Sequence, residues 1–428
     1  MSANIQGSAG PFFIKGVIEL IPPRISPDKL KLIREENENL PLDYIEKLAT
    51  PILADLTAWA NSVVYSQYNG KLTWEIPLSE SANASAVTQL SDPMNPIIRI
   101  NLGMLREIYR DAFVFPLISH MIASDNSTVK DLNQTFKNLS FTFKSGVPHV
   151  HSSQYTELFK LLKPMYDKNR AEKLTDDMLA SRFLMFELMI VWLFCHELGH
   201  LLQRHYLLQV VSGGGDIVSV NEAQEDVALH SKDTDENFFL KSQAREILAD
   251  LEGVSFAVTY MVRKNLFSMP SIYMLLCAQE IMFHRFSVIY PDNFDIPDLK
   301  HPAPIIRSEF VQAYSTHLIS DTLVQRKLAA TKESITIPML YLSVRSSLMS
   351  GLFWANRYEI FDDNNRPTFL RLSDEQYHEP KLSYLKTMAY WVDEQIDQIK
   401  PNHLCNPNFI GYFQGLNLFK QPETSSTD

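Results

Sequence analysis

The stretch Phe194-Cys195-His196-Glu197-Leu198-Gly199-His200 lies near the middle of the chain, inside a long apolar run within a helix expected from about Met178 to Val210. A run this apolar reads as a helix buried in a core. Each residue turns a helix by about 100°, so two histidines four apart project from one face about 40° apart. Neutral imidazole is the commonest metal ligand, and His196 and His200 can close on a single ion. Glu197 falls on the same arc, placed to hold a water beside that ion without binding the ion itself. Two ligands and an adjacent base are the parts that metal-assisted hydrolysis needs. The rest of such a site must come from elsewhere in the chain.

At 428 residues the chain can form two domains, or one large core with additions. Its net charge of −11 argues against a nucleic-acid partner. Cys195, Cys277 and Cys405 show no CxxC spacing, which fits buried free thiols in a reducing, cytoplasmic setting. The first ten residues lack the basic and apolar regions of a signal peptide. The most apolar segment, Phe183 to Cys195, contains Glu187 and falls short of the ~20 residues of a membrane helix, so no membrane insertion is expected.

Outward from the central helix, Thr175-Asp176-Asp177 supplies a cap and first-turn acids, and Ser212-Gly213-Gly214-Gly215-Asp216 supplies a stop. Helical spacing is expected over about 42–65, 102–119, 237–264, 270–290, 305–330, 337–353 and 382–399. Strands are expected within 11–25, at 72–76 and at 96–101. Residues 79–96, rich in Ser, Asn and Pro, read as an exposed loop. The prediction is an α+β, mainly helical fold with a small sheet beside the His196/His200 helix and a helical C-terminal region. Its parts are an N-terminal α/β region (1–95), a core (96–310), a helical region (311–420) and a disordered tail (421–428). The core carries an insertion at about 124–180 and an acidic loop at about 216–236.

A zinc ion held by two histidines takes a third protein ligand and leaves one position open for water. Glu246 and Asp250, four apart in Arg245-Glu246-Ile247-Leu248-Ala249-Asp250, point the same way from one helix. One can ligate the ion while the other accepts the free N–H of a histidine ligand. Glu252 faces elsewhere and is excluded. His205, on a continuing helix, would be rotated about 140° from His200, too far to share the ion; it reads as structural.

His196-Glu197-Leu198-Gly199-His200 with Arg204-His205 resembles the HELGHxxxRH of gluzincin peptidases. Glu246 to Asp250 is similar to the ExxAD of the CAAX prenyl protease type 1 and HtpX group, and His301-Pro302-Ala303-Pro304-Ile305-Ile306-Arg307 to its HPxxxxR. The soluble minimal gluzincins of bacteria are a second comparison. The resemblance covers roughly residues 96–310. It implies a zincin-like core in which His196, His200 and Glu246 bind one zinc ion, Glu197 is the general base and Asp250 supports a zinc histidine. His301 and Arg307 would contact the substrate carbonyl or the developing oxyanion; for Arg307 a salt bridge to Asp250 or Glu246 is the plainer alternative. Ile98, Arg99 and Ile100 would pair with an extended peptide by strand addition.

The expected activity is zinc-dependent hydrolysis of peptide bonds in an intracellular protein or peptide. The alternative is a non-catalytic or latent zincin-fold regulatory protein, such as one serving bacterial stress or phage defence.

Overall fold

The computed structural model describes residues 25–28, 30–31, 42–122, 176–208, 217–221, 237–286, 301–363 and 367–405. The strand or hairpin expected over 11–25, the tail 421–428, and most of the segments at 124–180 and 216–236 lie outside them.

The helix carrying His196 and His200, α3 (Asp176–Leu202), is the element about which the others pack. Before it come α1 (Leu42–Val63), β1 (Thr73–Glu75), β2 (Ala84–Gln89), β3 (Asp92–Ile100) and α2 (Leu102–Ile122). After it come β4 (Ile217–Asn221), α4 (Phe238–Arg263), α5 (Met269–Phe286), α6 (Pro304–Gln325), α7 (Lys332–Tyr358) and α8 (His378–Ile399). The fold is mainly helical α+β with one small sheet, as expected.

α3 is buried on all sides because α1, α2, α4 and α5 surround it. Its side chains from Leu179 to Gln203 are buried apart from Glu187, which accepts a hydrogen bond from the Tyr260 hydroxyl at 2.6 Å. Over Leu179–Leu202 the helix is long and apolar enough to cross a membrane, yet it is turned almost wholly against the protein itself. Continuous apolarity thus serves packing here, at roughly 1.5–3 kcal/mol for each large side chain removed from water. α1 shows the complementary pattern: Ile45, Ala49, Leu53, Leu56 and Ala60 form a stripe of three- and four-residue steps against the core.

The sheet has the order β1-β3-β2-β4 and lies beside α3, which touches β2 and β3. β1 runs parallel to β3, and β2 is antiparallel to both β3 and β4. Two expectations are corrected here. The Ser/Asn-rich stretch expected to be a loop contains β2 and the beginning of β3, joined through Leu90-Ser91. Ala84, Ser85 and Ala86 form a strand because they are paired on both sides and covered, and context of that kind outweighs weak strand propensity. Second, β3 is not an edge. Ile97, Ile98 and Arg99 pair with Thr73, Trp74 and Glu75 of β1, while Ile97 to Ile100 pair with β2. Backbone at Ile98 and Arg99 therefore has no side left for a peptide, and Ile100 is paired to Ala84 of β2; Ile98 and Ile100 are core, and Arg99 is ion-paired to Glu75. Among the described residues the edges belong to β1 and β4.

The expected region boundaries do not separate independent bodies. The one at 95/96 falls within β3 and the one at 310/311 within α6, and one buried apolar cluster includes residues from Ile25 to Leu404.

α3 also ends earlier than expected. Arg204 adopts a left-handed conformation (φ 52°, ψ 42°), and His205–Leu207 form a short 3-10 turn. The terminal carbonyl of Leu202 accepts from the Leu404 backbone N–H at 3.0 Å, so the segment following α8 satisfies one of the groups a helix end leaves open.

Candidate metal centre

α3 and α4 approach each other through two glycines. A Cβ at Gly199 would meet the Ala249 carbonyl oxygen at 3.1 Å, and one at Gly253 would meet the His196 backbone nitrogen at 3.1 Å. Each glycine thus removes a side chain where the other helix's backbone passes. That closeness brings Glu246 and Asp250, one turn apart on α4, against His196 and His200, one turn apart on α3.

The two carboxylates go to different places. Oε2 of Glu246 is 3.4 Å from His196 Nε2, and its Oε1 is 3.5 Å from His200 Nε2. The two Nε2 atoms are 3.0 Å apart. Asp250 instead meets the other side of His196, with Oδ1 2.8 Å from Nδ1. Glu246 is therefore the carboxylate facing both imidazole nitrogens, and Asp250 is the one behind. His196, His200 and Glu246 form a buried group that could hold a metal ion.

The spacing can be tested against the chemistry. Four donors arranged tetrahedrally about 2.0–2.1 Å from a zinc ion stand about 3.3 Å from one another. The three observed separations bracket that value, so this donor set fits such an ion with little rearrangement. All three side chains are at most 6 % exposed. Burial alone opposes a charge on Glu246, but the imidazoles of His200, His301 and His196 hold its carboxyl well below the usual range. An anion kept charged in so dry a place is a strong attractor for a cation.

Asp250 is fixed from its far side. Arg307 Nε donates to Oδ2 at 2.8 Å and Nη2 donates to Oδ1 at 2.7 Å, a two-pronged contact between fully buried groups. The salt bridge, not the oxyanion contact, is thus the role the geometry gives Arg307: two of its donors are committed to Asp250. The guanidinium lies 4.7 Å from the Phe283 ring. His301 reaches the centre itself, its Nδ1 3.3 Å from Glu246 Oε2 and its ring nearly parallel to that of Phe286. Trp192, one turn before His196, stacks along that histidine with centroids 5.3 Å apart.

Glu197 is fully buried beside the two histidines. Glu252, excluded on helix geometry, indeed faces elsewhere: its Oε2 accepts from Gln203 at 2.7 Å and lies 3.0 Å from His403 Nε2. Cys195 is buried within α3, and burial pushes its thiol up.

His205 is the residue that sequence reasoning undervalued. With the helix broken at Arg204, its Nδ1 comes 2.7 Å from Nδ1 of His200. Burial foremost, together with the neighbouring His200, holds its pKa well below the usual imidazole value, so it is neutral. The aromatic wall of Trp192, Phe283 and Phe286 was also unforeseen. The three-residue step between Phe283 and Phe286 signals one shared face, but nothing in the sequence says which neighbour it meets.

No family model, curated protein or solved structure matches the chain.

Proposed function

We propose that this chain is a zinc-dependent endopeptidase of gluzincin type, with His196, His200 and Glu246 holding one zinc ion. The observation that carries the reading is the convergence of two Nε2 atoms and one carboxylate at 3.0–3.5 Å, with the buried Glu197 next to His196 on the same helix. Zinc, when bound there, supplies a Lewis acid that lowers the pKa of water towards ~7 and polarises a carbonyl. Glu197 takes the proton of the attacking water and returns it to the leaving amine. His301, beside Glu246, faces the same centre and donates to the developing oxyanion. Asp250 and Arg307 act one layer out, by holding His196. With β3 interior, an extended protein or peptide substrate pairs with β4, an edge among the described residues that packs on the His205–Leu207 turn.

The test combines metal analysis with hydrolysis of a mixed protein substrate, with and without chelator. One zinc per chain and chelator-sensitive cleavage are expected, with Glu197→Gln keeping zinc and losing about 10²–10⁴-fold in turnover. Full activity in zinc-loaded Glu197→Gln sinks the mechanism. Zinc without hydrolysis under any condition supports the non-catalytic reading instead.

A further inference from the structure

Both candidate histidine ligands present Nε2 to Glu246, and both are contacted at Nδ1. For His196 the contact is the Asp250 carboxylate at 2.8 Å; for His200 it is Nδ1 of His205 at 2.7 Å. The second contact requires a special backbone. A helix continued through residue 205 would carry that side chain away, but the left-handed Arg204 turns the chain, with its N–H returning to the Leu201 carbonyl at 3.1 Å. The resulting pair is buried, His200 and His205 each 1 % exposed.

We propose that His205 is a positioning residue for the metal centre: it accepts the Nδ1–H of His200 and so holds that ring with Nε2 unprotonated and aimed at Glu246. The direction of the hydrogen bond follows from chemistry. Were His205 the donor, His200 would carry its own proton on Nε2, the atom needed for the ion. His205 cannot be a fourth ligand through this contact, because it meets the edge of the His200 ring opposite the donor cluster. A metal-binding histidine ordinarily gives its second N–H to a carboxylate, carbonyl or water; here a ring nitrogen of a second histidine takes that place. The inference rests on the metal-centre reading above.

The experiment measures zinc affinity of the full chain by chelator competition in two variants of similar side-chain size. His205→Asn keeps an acceptor oxygen near the position of Nδ1, whereas His205→Leu has none. The expected result is a loss of about 10–100-fold in zinc affinity for His205→Leu, with most of it recovered in His205→Asn. If His205→Leu fails to fold by circular dichroism, His205→Phe, which fills the volume of the ring, replaces it. Wild-type affinity in the apolar variant overturns the proposal, as does an equal loss in the apolar and Asn variants, which would mark packing and not acceptance as the role of His205. Wild-type protein that binds no zinc overturns the metal centre, and His205's role with it; a wild type that binds zinc together with an unaffected apolar variant removes only the role of His205.

Discussion

His196 Nδ1 stands 2.8 Å from Asp250 Oδ1, on the side of the imidazole opposite the nitrogen that faces Glu246. A carboxylate so placed favours the tautomer that carries its proton on Nδ1 and leaves Nε2 for the ion. Asp250→Asn keeps the shape but allows an amide N–H to point at Nδ1, which would push the ring proton to Nε2. The expected consequence is zinc affinity about 10–100-fold weaker in a chelator competition. An unchanged affinity would show that Asp250 does not orient His196.

Arg307 holds Asp250 by two hydrogen bonds in a place without water. Arg307→Met leaves a buried carboxylate without its counter-charge, at a cost of about 3–5 kcal/mol in denaturant unfolding. Arg307→Lys keeps the charge but loses the planar fork, so its cost falls between wild type and Met. A loss below about 1 kcal/mol for Met would mean that the pair contributes little beyond its packing.

Gly253 faces the backbone of His196, where an added Cβ would lie 3.1 Å from the nitrogen and 3.2 Å from Cα. Gly253→Ala gains helix propensity, yet it must separate α3 from α4 by a few tenths of an ångström. We expect a net loss of about 1–3 kcal/mol, with zinc affinity falling because Glu246 moves with α4. A variant that is stabilised and binds zinc normally would show the helix spacing to be loose.

Glu280 gives the pH prediction. Burial raises its carboxyl from 4.5 to about 7, even though Gln312, Ser308 and Ser347 donate to it and favour the charged form. Because the folded pKa lies above the unfolded one, the folded state holds the extra proton between those values. The associated stability is present below the unfolded value and is lost as pH rises through about 7. The full loss is of the order of 3 kcal/mol. Glu280→Gln, which stays neutral, should flatten the stability profile between pH 5 and 8; a variant with the wild-type slope would assign that slope to other groups.

Much of the site was legible because it is written at helical spacing. A step of four from His196 to His200, and of four from Glu246 to Asp250, puts each pair on one face whatever the rest of the chain does. The buried character of α3 followed equally from its composition. Helix geometry also excluded Glu252 correctly. The same geometry misplaced His205, because a single backbone reversal at Arg204 cancels the periodicity on which the argument rests. The β2 strand was hidden for a related reason: alanine and serine become a strand only when neighbours on both sides supply the pairing.

The sequence by itself determined the donor pairs, the glutamate between the histidines and the core helix that carries them, since these depend on neighbours within one turn. Which carboxylate faces the histidine Nε2 atoms was a tertiary decision. It depends on how closely α4 crosses α3 at Gly199 and Gly253, and no local periodicity encodes the distance between two helices. The partner of Arg307, the interior position of β3 and the return of His205 to His200 were decided in the same way, by contacts between residues on separate elements or across a break in the helix.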